Sequence, residues 1–145
     1  MPRTVPQPRA EGRRAMNHLA VIAQLRTTDL GRSIRFYVDV LGFELAFVHG
    51  DFYAGLSAGG QMLHLKRVDA PDPSIAFVAA GDHLHLYIET DDAASFAAAI
   101  VARGVALARP IQETAWGTRE FVIRDDQGHT VHVAERLGDA TGPTA

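Results

Sequence analysis

A chain of 145 residues, 47% of them hydrophobic, is one domain's worth of polypeptide and can bury a single sizeable core. Its formal net charge of −3 offers no electrostatic footprint for nucleic acid, and no apolar run approaches the length of a membrane span. The absence of cysteine excludes a disulfide framework and thiolate chemistry, and suits a reducing, cytoplasmic setting.

The chain opens on MPRTVPQPRAEGRR, with three prolines, several arginines and no apolar h-region, which is not a secretory signal. Residues 1–16 read as a disordered extension, and Met16 would serve as a start of translation as well as Met1. LAVIAQLR is the first strand signal. Its alternation puts Val21, Ala23 and Leu25 on one side and Ile22, Gln24 and Arg26 on the other. Asp29 then opens DLGRSIRFYVDVLG, a helix closed by Gly42, with Leu30, Ile34, Tyr37 and Leu41 forming one stripe. Phe43 starts another strand. Phe47, His49, Phe52 and Tyr53 cluster around a hairpin turn at Gly50–Asp51, where the aromatics would cover a pocket or, the more ordinary account, simply pack the hairpin. In QMLHLKR, Leu63 and Leu65 oppose Met62, His64 and Lys66.

The second half repeats the first. In HLHLYIE, Leu84, Leu86 and Ile88 oppose His83, His85 and Tyr87. Asp91 and Asp92 open DDAASFAAAIVARG, which ends at Gly104 after the spacing that separates Asp29 from Gly42. Its stripe is Phe96, Ala99, Ile100 and Arg103 in an alanine-rich body. Trp116–Gly117 lies before the next strand, where the indole is either a stacking surface or plain packing. Asp125–Asp126 before Gln127–Gly128 is a turn signal, not a paired catalytic carboxylate. In HTVHVAE, Val131 and Val133 oppose Thr130, His132 and Ala134, and residues 137–145, ending in GDATGPTA, read as a loose tail.

Such a repeat means two similar modules around one core: a single domain over residues 17–136, with module one at about 17–68 and module two at about 82–136. Four strands then have a purely aliphatic face, to be buried under the helices. Their other face carries His64, His85, His132, Tyr87 and Gln24 and would line a pocket.

TTDLGRSIRFYVDVLGFEL, HLHLYIETDD and WGTREFVIRDDQGHTVHVAE together resemble the vicinal oxygen chelate superfamily, which includes glyoxalase I, extradiol dioxygenases and bleomycin-resistance proteins. The resemblance runs from about Leu19 to Glu135. It implies an α+β fold of two βαβββ modules forming an incomplete curled barrel, and a homodimer whose pockets draw on both chains. Carried over position by position, the family's four metal-ligand places fall on Ile22, His64, His85 and His132. Isoleucine cannot ligate, and imidazoles replace the family carboxylates. A set of His64, His85 and His132 with water would suit zinc, iron, nickel or copper. The same histidines, with Ile22, Gln24, Tyr87, Trp116 and Glu120, would equally line an organic-ligand pocket. Arg119–Glu120 resembles a pair common in resistance-type members. Two functions therefore follow. One is a protein that binds or sequesters a small organic molecule in a sheet pocket at or near the dimer interface. The other is a metal-dependent lyase, isomerase or dioxygenase, glyoxalase I itself being disfavoured by the missing glutamates.

Overall fold

The computed structural model describes residues 16–138; most of the expected N-terminal extension and most of the expected tail lie outside the described residues. The elements are β1 (Ala23–Thr27), α1 (Leu30–Arg35, running on as a π-helical turn over Phe36–Val40), β2 (Glu44–His49), β3 (Tyr53–Ala58), β4 (Gln61–Arg67), α2 (Pro73–Ala80), β5 (Leu86–Thr90), α3 (Ala93–Ala102), β6 (Arg109–Glu113), β7 (Thr118–Arg124) and β8 (Thr130–Arg136). They form two four-stranded sheets in the orders β1-β4-β3-β2 and β5-β8-β7-β6. In each, the first strand runs parallel to the fourth and the rest are antiparallel. This is the expected α+β pair of βαβββ modules, and neither sheet closes on itself.

The caps act as the sequence implies. Asp29 accepts from the Arg32 amide and Asp92 from the Ser95 amide, each satisfying a donor that the helix leaves open. Gly42 (φ +80°) and Gly104 (φ +92°) turn the chain out of the helices in a conformation that a side chain disfavours. In α1, Leu30, Tyr37 and Leu41 are buried as expected, with Ile34 half-buried. In α3 the buried face is Ala93, Ala97 and Ile100, shifted from the expected stripe. Arg103 lies outside that face, and its guanidinium donates to the Val40 carbonyl at 2.7 Å, joining the ends of the two helices.

Two differences from the sequence reading have simple causes. Helix α2 was not foreseen, though its signals are ordinary: Asp72 caps Ser74 and Pro73 occupies the first turn. None of its residues is buried, so no apolar stripe betrays it. Strands β1 and β5 also start later than expected. Each pairs with a later strand, Ala23 opposite Leu63 and Leu86 opposite Val131, and the second ladder reaches back one residue further at His85, whose amide donates to the Thr130 carbonyl at 2.8 Å. Val21 and Leu84 are accordingly exposed.

One core serves both modules. Leu25, Leu56, Leu63 and Leu65 of the first sheet, Phe121, Ile123, Val131 and Val133 of the second, and the buried faces of α1 and α3 form one cluster. The aliphatic faces therefore point inward, and the other face of each sheet points out. The modules are also latched by the β7–β8 turn. Buried Tyr37 donates to Asp125 Oδ2 at 2.7 Å, Ser33 to Asp126 at 2.7 Å, and the Thr28 amide and hydroxyl each to Gln127 at 3.0 Å.

Candidate functional site

On the outer face of the first sheet, register puts Gln24 beside His64 and His64 beside Gly55. Tyr53 lies two residues along β3 from Gly55, within diagonal reach of His64. Gln24 Nε2 donates to the Tyr53 hydroxyl at 3.0 Å, and that hydroxyl hydrogen-bonds His64 Nδ1 at 2.8 Å. With Nδ1 so engaged, His64 keeps Nε2 for an incoming group. Phe47 completes the patch, edge-on to the His64 ring with centroids 5.4 Å apart and stacked with Tyr53 at 6.4 Å. Gly55 makes this possible: a Cβ there would lie 2.1 Å from the Phe47 ring. Ile22, just before β1, is 38% exposed and contributes only apolar surface.

The outer face of the second sheet is organised around Glu120. Its Oε2 accepts from Thr118 Oγ1 at 2.7 Å, Trp116 Nε1 at 3.2 Å and the Tyr87 hydroxyl at 3.3 Å. The structure thus joins three residues singled out from the sequence, Tyr87, Trp116 and Glu120, through one oxygen atom. Trp116 remains 69% exposed and Tyr87 47%. His132 sits opposite Tyr87 in the ladder. Burial, with Arg109 nearby, lowers the pKa of His132, and burial with the Glu120 charge raises that of Tyr87.

His85 is differently placed. It precedes β5, and its Nδ1 accepts from the Thr130 amide at 3.1 Å while Nε2 bonds Ser74 Oγ of α2 at 3.0 Å. The ring packs edge-on against buried His129, centroids 4.8 Å apart, and burial is the main cause of its lowered pKa. An imidazole that accepts at Nδ1 carries its proton on Nε2, so His85 has no lone pair left for a metal in this arrangement.

Among the described residues no three His, Cys, Asp or Glu side chains are grouped to hold an ion. The physical reason is the shared core: with the aliphatic faces turned inward, the outer faces of the two sheets diverge. The donor set does not fit the family's four-ligand metal centre. Ile22 cannot ligate and both nitrogens of His85 are engaged. Thr118 is the contributor that sequence reasoning passed over. Tyr53 stood between covering a pocket and packing a hairpin, and the β3–β4 register shows that it bridges Gln24 and His64.

The family model for the Glyoxalase/Bleomycin resistance protein/Dioxygenase superfamily matches residues 15–133, and the chain belongs to that superfamily. No curated protein matches it. Among solved structures, it is similar to TioX from Micromonospora sp. ML1, at 25% identity and a TM-score of 0.66 over 83% of this chain and 100% of that one. The bleomycin-binding protein of Streptomyces verticillus, complexed with copper(II)-bleomycin, is 26% identical, with a TM-score of 0.60 over 86% and 100% of the two chains. A lactoylglutathione lyase from Agrobacterium tumefaciens, 23% identical with a TM-score of 0.61 over 83% and 96%, shares the fold. Among the described residues no helix is long and apolar enough to cross a membrane.

Proposed function

We propose that this chain binds a small organic molecule without chemically changing it, in a cleft formed when two copies pair. In that pairing the outer face of module one in one copy meets the outer face of module two in the other. The observation that carries the reading is the aromatic lining of both faces, held in place by hydrogen bonds and ring contacts: half-buried Phe47, Tyr53 and His64 on one, exposed Tyr87 and Trp116 on the other. Tethered rings outside a core, with those of Tyr87 and Trp116 largely exposed, suit ligand stacking rather than folding. The likeness to a bleomycin-binding protein supports a binding role for this geometry. Such a protein serves resistance or sequestration.

The second reading, a metal-dependent lyase, isomerase or dioxygenase centred on His64, His85 and His132, is favoured only by the coincidence of three imidazoles. It is opposed by the occupied nitrogens of His85. Elemental analysis of untagged protein separates the two. The binding reading expects metal-free protein whose melting temperature ignores chelator, zinc, iron and nickel and rises with planar aromatic compounds. One transition-metal ion per chain, lost in His85→Ala and more tightly held in Ile22→His, would overturn it. Sedimentation tests the pairing, a dimer being expected at tens of micromolar, roughly the range of a stable homodimer.

A further inference from the structure

Module two carries a charge that its surroundings orient but do not neutralise. The other acidic side chains on the second sheet each have an arginine. Glu113 and Glu135 share Arg119 at 2.9 and 3.4 Å, and Glu89 pairs with Arg136 at 3.0 Å. Asp82, before β5, holds Arg109 at 2.6 Å. Among the described residues Glu120 has no such partner. Its three donors, Thr118, Trp116 and Tyr87, are all neutral and all use Oε2. Neutral donors fix the direction of a carboxylate without cancelling its charge, and Oε1 is left outside the triad.

The same bonds determine what stands beside that charge. Trp116 is tethered by its N–H edge while most of its surface is exposed, so its ring is a fixed platform next to a carboxylate. Arg119 is no competitor, because it follows the opposite alternation along β7 and is engaged by Glu113 and Glu135. His132 is held towards its neutral form by burial and by Arg109, so at neutral pH it brings no opposing positive charge. A π surface adjoining an unneutralised carboxylate matches one ligand chemistry: a flat ring system bearing a positive charge.

We infer that Glu120 determines charge selectivity on the module-two face, which takes planar aromatic cations by stacking on Trp116 and ion-pairing with Glu120. This rests on the ligand-binding reading above and adds to it the class of ligand and the residue that chooses it.

Three acridines of nearly equal shape test the assignment: 9-aminoacridine as the cation, acridine as the neutral ring and acridine-9-carboxylate as the anion. Each is titrated into the full-length protein by calorimetry. Quenching of Trp116, the chain's single tryptophan, serves as a site-specific second readout. The cation should bind at least about tenfold tighter than acridine, and the anion weakest. The preference should shrink in about 0.5 M salt, where charges on an exposed face are screened. Glu120→Gln should bring the cation to within roughly twofold of acridine, the ratio of the two affinities in the same variant being the readout. The salt series on unaltered protein tests the charge even if that variant folds poorly. Equal binding of all three, or a cation preference that survives Glu120→Gln, overturns the inference and leaves the ligand-binding reading standing. Failure of every acridine to bind or to quench Trp116 overturns the reading of this face as an aromatic site, and the inference with it.

Discussion

The two modules share a sequence pattern and a topology, yet their last hairpin turns have opposite characters. In module one β3 and β4 are joined by Gly59 and Gly60, both at positive φ, a tight turn in which side chains take no part. In module two the corresponding turn is Asp125–His129, and nearly every side chain in it is engaged. Asp125 Oδ1 accepts from the Gln127 and His129 amides. Its Oδ2 takes the Tyr37 hydroxyl at 2.7 Å and His129 Nδ1 at 2.8 Å. One half of the repeat has a minimal connection, while the other has a clasp that fixes module one on module two. The fixed orientation of the outer faces depends on that clasp.

The largest effect should follow from opening it. Asp125→Ala strands a buried hydroxyl and a buried imidazole at once, and should cost about 3 kcal/mol or more. Gly60→Ala in the module-one turn forces a side chain into positive φ and should cost only about 1 kcal/mol. Urea unfolding of both variants measures the difference. Equal losses would mean that the clasp is no more than a turn.

The next effect concerns the outer face of module one. Gly55→Ala puts a methyl where the Phe47 ring lies, and the ring must leave the Tyr53–His64 patch. We expect a loss of about 1–3 kcal/mol, partly recovered when Phe47→Ala is added. Non-additivity in that double-mutant cycle is the readout. Simple addition of the two single effects would show that the ring does not depend on the missing Cβ.

How much of this was legible follows from which interactions are local. Asp29, Asp92, Gly42 and Gly104 act within one turn of helix, so spacing alone predicted them. The apolar alternation in β4 and β8 likewise named the inward faces. What spacing does not convey is where a side chain lands across the sheet or across the domain. Tyr53 meets His64 because of the β3–β4 register, and Asp125 meets Tyr37 across 88 positions of sequence. The three histidines share a strand parity, but parity is blind to two sheets turning their aliphatic sides towards each other. Helix α2 hid for the opposite reason: without a buried face it leaves no periodic trace.

Acid should act on module two more than on module one. His85 and His132 both have folded-state pKa values lowered from 6.5, so the unfolded chain binds protons more readily. Their contribution is complete above about pH 6.5 and is lost as pH falls through the folded-state values. Asp125, also lowered, adds a second loss below the ordinary carboxylate range of about 3.8–3.9. The raised pKa of Asp126 works the other way, giving slight relief as it protonates. The melting temperature should therefore decline from pH 7.5 to pH 5. His85→Gln should flatten that slope, since a glutamine cannot take up the proton that burial and the Thr130 amide at Nδ1 oppose. A melting temperature that holds steady over this range would refute the assignment.

The smallest effect belongs to the second contact between the modules. Arg103 leaves the C-terminus of α3 and donates to the Val40 carbonyl at the end of the π turn. A cation at a helix C-terminus is favourable twice over, through its hydrogen bond and through the negative end of the helix dipole. Water competes for both partners here, because the pair is exposed, so Arg103→Ala should cost only about 0.5 kcal/mol. That small figure sharpens the comparison between the modules. If their docking rested on many equivalent bonds, Arg103 and Asp125 would matter alike. If it is concentrated in the buried clasp, salt should erase the Arg103 effect and leave the Asp125 effect almost untouched. Paired urea titrations of Arg103→Ala and Asp125→Ala at low and high salt distinguish the two cases. A salt-resistant Arg103 effect as large as that of Asp125 would rule out the clasp as the dominant link.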